Sequence, residues 1–185
     1  MEILQDAEWE VLTLEDFPYL PEVIEDGETF ADNAVKKAVA VAEATGELSL
    51  ADDSGLEVDF LGGKPGVYSA RFAGEPCDDH ENNKKLLELL QGVPDEDRTA
   101  RFRCVIAVAH PRGEVRLAEG VCEGKIAFYP RGEGGFGYDP LFIPTGYDKT
   151  FAEISPEEKN SISHRGKALQ KARSILDEWL KEKKI

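Results

Sequence analysis

The chain has 185 residues, 41% of them hydrophobic and 32% charged, with a formal net charge of −15 at pH 7. That length and composition suit one globular domain with a buried core, and the acidic surplus excludes an extended nucleic-acid surface, which needs clustered Lys and Arg against phosphates. No apolar run approaches the ~20 residues of a membrane span, and Cys77, Cys104 and Cys122 lack metal or redox spacing, which reads as reduced thiols in a cytoplasm.

Met1–Glu8 has the pattern of a helix tail, and Glu10–Leu14 that of a short strand. Pro18 and Pro21 mark an extended loop carrying Glu22, Glu25, Asp26 and Glu28 just ahead of a helix, where acids favour the positive end of the helix dipole. Thr29 with Asp32 caps that helix and Gly46 stops it. Its apolar stripe is Phe30, Ala34, Ala38, Val41 and Ala42, the alanines implying close packing on a sheet. Asn33 and Lys37, four apart, border the stripe; they sit either at the rim of the core or in a cleft.

Leu50-Ala51 then runs into Asp52-Asp53-Ser54-Gly55, and an alternating Leu56/Val58/Phe60 strand leaves it toward the turn Gly62–Gly66. Two adjacent carboxylates at a strand end can hold a divalent metal or activate a water; the alternative is an Asx/Ser turn between two strands. After Val67–Phe72 and a Gly74/Pro76 loop, Asp78 with Glu81 caps a helix with Leu86, Leu87, Leu89 and Leu90 on its apolar face. Thr99–Ala109 and Val115–Ala127 read as a hairpin about Pro111-Arg112-Gly113, with Arg101 and Arg103 on the solvent face.

The loop Pro130–Pro140 combines four glycines with Phe136 and Tyr138. Such a loop is costly in folding entropy, and aromatics among glycines favour a ligand loop with a stacking surface. Ser155-Pro156-Glu157-Glu158 is a strong helix start followed by Lys159. Ser163-His164-Arg165-Gly166 opens the last helix, whose stripe is Ala168, Leu169, Ala172, Ile175, Leu176, Trp179 and Leu180. An Arg at a helix N-terminus opposes the dipole, so it calls for an anionic or acceptor-rich ligand. Strands and helices mix without strict alternation, which gives an α/β (mixed α+β) unit with a mixed sheet.

Five blocks in this order resemble the inosine triphosphate pyrophosphatase family: Thr29-Phe30 with Asn33, Ala34 and Lys37; Leu50–Leu56; Pro65–Arg71; Gly134–Pro140; and Lys159 with Ser163–Gly166. The resemblance covers essentially the whole chain. It implies a twisted mixed central sheet flanked by helices, in two lobes with a cleft between, and a homodimer. It implies hydrolysis of inosine, deoxyinosine and xanthosine triphosphates to the monophosphate and pyrophosphate, with magnesium (Mg2+) as cofactor. On the matching positions Asp53 is the general base and a metal carboxylate with Asp52 beside it, and Glu25 is a metal-binding acid, Glu22 and Glu28 being close to that register. Ser54, Lys37 and Lys159 are phosphate or nucleotide contacts, while Phe136, Gly137, Tyr138, Asp139, His164 and Arg165 form the base pocket. The family's opening strand and its Ser/Thr-x-Asn-x-x-Lys phosphate loop have no counterpart in the sequence. The expectation is therefore a single domain over 1–185 that is incomplete at its N-terminus relative to the family, with Glu10–Leu14 as the family's second strand. A catalytically impaired nucleotide-binding remnant is the second expectation.

Overall fold

The computed structural model describes residues 10–20 and 22–182, so the helix tail expected over Met1–Glu8 lies outside the described residues. Four strands, β1 (Ser49–Val58), β2 (Thr99–Ala109), β3 (Val115–Ile126) and β4 (Phe142–Pro144), form one sheet in the order β1-β2-β3-β4. Every pairing among the described strands is antiparallel, in place of the mixed sheet the sequence suggests. The β2–β3 hairpin closes where the His110 amide donates to the Glu114 carbonyl (2.8 Å).

Two helices cover opposite faces at one end of the sheet. Helix α1 (Phe30–Thr45) packs on Val105, Ala107 and Ala109, and α4 (His164–Glu182) on Cys104, Ile106 and Val108. Strand side chains alternate between faces, so a strand covered on both sides is apolar at every position, and Cys104–Ala109 is such a run. At the other end, helix α2 (Asp79–Leu89) contributes Leu86 to a cluster with Leu56, Val58, Phe102, Phe142 and Phe151. The Phe102 ring meets Phe142 edge-on at 4.7 Å and stacks on His164 at 4.7 Å. A short helix α3 (Pro156–Ile162) leads directly into α4.

The helix starts follow the sequence: the Thr29 hydroxyl accepts from the Asp32 amide, Asp78 from the Glu81 amide and Ser155 from the Glu158 amide. Other expectations need correction. Glu10–Leu14 forms no strand: residues 10–13 are irregular and a single turn runs over Leu14–Asp16. The Asp16 carboxylate accepts from the Thr13 amide (2.7 Å), and Leu12 and Leu14 stay 47% and 66% exposed, so among the described residues this stretch is packed on no sheet face. The Asp52–Gly55 stretch is no turn; β1 runs straight through it. Leu89 is exposed on α2, and Val35 and Val39 rather than Val41 extend the α1 stripe.

Among the described residues β1 pairs on one side with β2 and on the other makes a single bridge, Glu57 with Pro65. Toward its C-terminal end two outward amides are taken locally, Leu56 by the Ser69 hydroxyl (2.9 Å) and Val58 by the Lys64 carbonyl (3.2 Å). An edge with no partner strand among the described residues leaves side chains of both faces accessible around it.

Helix α4 lies so close to β3 that a Cβ on Gly120 would collide with the His164 carbonyl and the Ala168 amide. Gly166 is as tight, against the Asn160 carbonyl of α3. These two glycines seat His164 and Arg165. Gly120→Ala is expected to cost about 1–3 kcal/mol by overpacking, a drop in Tm of about 2–12 °C for a chain of this size; thermal unfolding followed by circular dichroism checks it, and an unchanged Tm contradicts the close approach.

Candidate active site

The pleat of β1 separates the two adjacent carboxylates. Odd-numbered side chains point toward α1: Ser49 bonds the Ala38 carbonyl, Ala51 packs with the α1 cluster, and the Asp53 Oδ2 accepts from Asn33 Nδ2 (2.9 Å). Even-numbered side chains point the other way: Leu50 packs with the α4 cluster, and Asp52 and Ser54 both bond Arg165. Asp52 therefore does not stand beside Asp53 as a second ligand on one face.

On the α1 side, Asn33 is the pivot. It is buried, its Oδ1 accepts from the Gly27 amide (2.7 Å), and that bond fixes its Nδ2 toward Asp53. The loop held at Gly27 carries Glu25, which pairs with Lys37 (2.8 Å) one helical turn beyond Asn33. Asp26 pairs with Lys36, and Arg71 Nη2 donates to the Glu25 carbonyl (3.4 Å). Burial pushes the Asp53 carboxyl above its ordinary value and the neighbouring Glu25 pushes it the same way, while Asn33, Lys37 and the Ser54 amide oppose. Glu22 and Glu28 are exposed, and Glu25 is the acid of that loop whose field reaches Asp53.

On the α4 side, Asp52 Oδ2 accepts from Arg165 Nε (3.1 Å) and Nη2 (2.9 Å), and Nη2 also donates to Ser54 Oγ (3.1 Å). The cation at the helix N-terminus thus has an internal anion, and no ligand is needed to explain it. Cys104, fully buried, lies 3.9 Å from the same Asp52 oxygen; burial and the carboxylate push its thiol up to about 12, so it stays protonated. His164 is buried, and burial with the neighbouring Arg165, Lys159 and Lys167 charges pushes it down to about 3. Its imidazole is neutral at physiological pH, and its buried Nδ1 has no hydrogen-bond partner among the described residues.

The glycine-rich loop reaches this face. Phe136 is 62% exposed, with Lys159 Nζ 4.7 Å from its ring centre and the Arg165 guanidinium carbon 5.7 Å away. Tyr138 is no stacking surface: it is buried, its hydroxyl donating to the Ser69 carbonyl (2.7 Å). Asp139 is buried, bonds the Phe136 amide (2.9 Å) and pairs with Lys159. Gly137 is gripped at both backbone groups, its amide by Asp79 (2.7 Å) and its carbonyl by Asn83 Nδ2 (2.8 Å). Asp79 and Asn83 carry no sequence signal for this task, because they lie more than fifty residues away; Asn33 stands in the sequence as a polar position beside an alanine stripe and in a family-like block, with no role attached.

The structure therefore brings Asp53, Glu25 and Lys37 together on one face of β1, and Ser54, Asp52, Arg165, Phe136 and Lys159 on the other. Both sets lie on the strand whose other edge pairs with no strand among the described residues.

A model of the Ham1 family matches residues 1–175. A dITP/XTP pyrophosphatase of Desulforamulus reducens is 65% identical over 176 residues, 95% of this chain and 88% of that protein. One of Bacillus subtilis is 52% identical over 176 residues, 95% of this chain and 89% of that protein. Among solved structures, a HAM1 protein from Coxiella burnetii superposes with a TM-score of 0.88 at 44% identity, covering 96% of this chain and 90% of its own.

Because the folded Asp53 carboxyl titrates above the unfolded value, the native state holds a proton the unfolded chain releases, and stability falls as pH rises from about 3.8 through the raised value. Removing Asn33, whose bond favours the ionised form, should raise the Asp53 midpoint further. Carboxyl-carbon NMR titration of the native protein and of Asn33→Ala measures both; a lower midpoint in the variant contradicts the assignment.

Proposed function

The chain belongs to the Ham1 family, and on that footing we propose that it hydrolyses dITP, XTP and ITP to the monophosphate and pyrophosphate. The observation that carries the assignment to residues is the pairing of a half-buried carboxylate of raised proton affinity, Asp53, with a second acid and a cation, Glu25 and Lys37, beside an exposed aromatic ring flanked by cations.

The reaction requires a water oxygen to bond the α-phosphorus as the bond to the β-phosphate oxygen breaks. Asp53 accepts the water's proton, and Asn33 aims it. Lys37 faces the same space and offsets charge on the phosphate oxygens. Magnesium fits this donor set: Asp53 and Glu25 are hard oxygen donors whose charges repel each other, and magnesium is commonly held by one or two carboxylates plus substrate phosphates. Among the described residues no group of three potential ligands is arranged to hold a metal. When bound, the ion supplies charge neutralisation at the phosphate oxygens.

The purine stacks on Phe136, whose amide is fixed by Asp139 and whose ring faces Lys159 and Arg165. A 6-keto purine presents an acceptor where adenine presents an amino donor, and Arg165 offers donors only, so adenine leaves donor facing donor. Ser54 sits between Asp53 and Arg165, within reach of the nucleotide's middle. The homodimer that the resemblance implies and the cytoplasm that the cysteines suggest belong to this proposal; three free thiols, two of them buried, suit a reducing compartment.

Pyrophosphate release from dITP or XTP with magnesium is the direct assay. Asp53→Asn is expected to keep the fold and lower turnover by at least about 10²-fold; near-normal turnover in that variant removes Asp53 from the chemistry.

A further inference from the structure

We propose that Asp52 is a positioning residue for Arg165, setting discrimination among purine bases, and is not a metal partner of Asp53. The inference rests on the nucleotide hydrolysis proposed above and assigns a task to a residue that the paired-carboxylate pattern alone places with the metal.

Three observations carry it. The pleat of β1 sends Asp52 and Asp53 to opposite faces, and their partners do not overlap: Asn33 and the Ser54 amide bond Asp53, while Arg165 bonds Asp52. Asp52 and Ser54, two apart on one face, hold a single planar guanidinium at Nε and Nη2 (3.1, 2.9 and 3.1 Å). Holding two nitrogens of a rigid plane fixes its orientation, and Nη1 takes no part in these bonds. The third is Phe136, whose ring centre lies 5.7 Å from the guanidinium carbon, so the fixed plane sits beside the surface on which the base stacks. Asp52 also offsets the helix dipole, which would otherwise disfavour a cation at the first turn of α4. With Asp52 uncharged, Arg165 keeps its charge and loses its aim.

The test is a double-mutant cycle on the full chain, measuring kcat and KM for dITP and dATP over a range of magnesium for the native protein, Asp52→Asn, Arg165→Ala and the double variant. Loss of a charge-assisted bond predicts for Asp52→Asn a KM for dITP raised about tenfold, kcat within about threefold of native, and a dITP-to-dATP ratio of kcat/KM lowered about tenfold. The half-saturating magnesium should stay put, and Asp52→Asn should add nothing in the Arg165→Ala background, because the two act as one unit. A raised magnesium requirement with the base ratio unmoved, or losses that multiply in the double variant, overturns the proposal. Asp52→Glu keeps the charge and should hold the base ratio within about threefold of native. It carries the same measurement if Asp52→Asn fails a thermal-melt check of folding, and a shifted magnesium requirement in it counts against the proposal. Absence of dITP hydrolysis by the native chain is a separate outcome: it sinks the proposed function, and this inference with it, whereas an active native chain with multiplying losses sinks this inference alone.

Discussion

The alternation of side chains along β1 is the constraint on which the site depends. A strand has period two, so neighbours in sequence cannot share a face. Asp52 and Asp53 read as a pair in the sequence, yet one is bonded by α4 and the other by α1. The two helices cover the same end of the sheet from opposite sides, and β1 carries polar groups bonded from both. A shift of one residue in the β1–β2 register, which pairs Asp53 with Val105, would exchange every assignment at once.

The electrostatics follow from that arrangement. The chain carries a net charge of −15, which repels a triphosphate at long range. At short range, three cations are each held by a neighbouring acid: Lys37 by Glu25, Lys159 by Asp139 and Arg165 by Asp52. The Lys159–Asp139 pair is nearly excluded from solvent, whereas the side chains of Arg165 and Asp52 are 41% and 37% exposed. Exposed pairs contribute little to stability by themselves. Their value here is geometric, since a cation already aimed costs no reorganisation when the substrate arrives.

Much of this was legible in the chain. Helix caps at Thr29, Asp78 and Ser155, the β2–β3 hairpin and the doubly apolar run of β2 all follow from local chemistry. The family motifs picked out Asp53, Lys37, Phe136 and Arg165 before any contact was known. Three things were not legible. Glu10–Leu14 has the composition of a strand but finds no face to cover. Tyr138 looks like a partner to Phe136 yet turns inward to bond Ser69, which only tertiary packing decides. The split between Asp52 and Asp53 depended on whether their stretch was a turn or a continuous strand, and the apolar approach at Leu50-Ala51 fitted either.

The central claim, that β1 divides a metal-and-phosphate face from a base-reading face, is tested most directly by NMR. Asp and Glu side-chain carboxyl carbons would be followed while magnesium is titrated into the native protein saturated with a non-hydrolysable dITP analogue. The account predicts that Asp53 and Glu25 shift together along one saturation curve while Asp52 holds its position. Asp52 and Asp53 moving together with the same metal dependence would contradict it, and would return both carboxylates to one metal site.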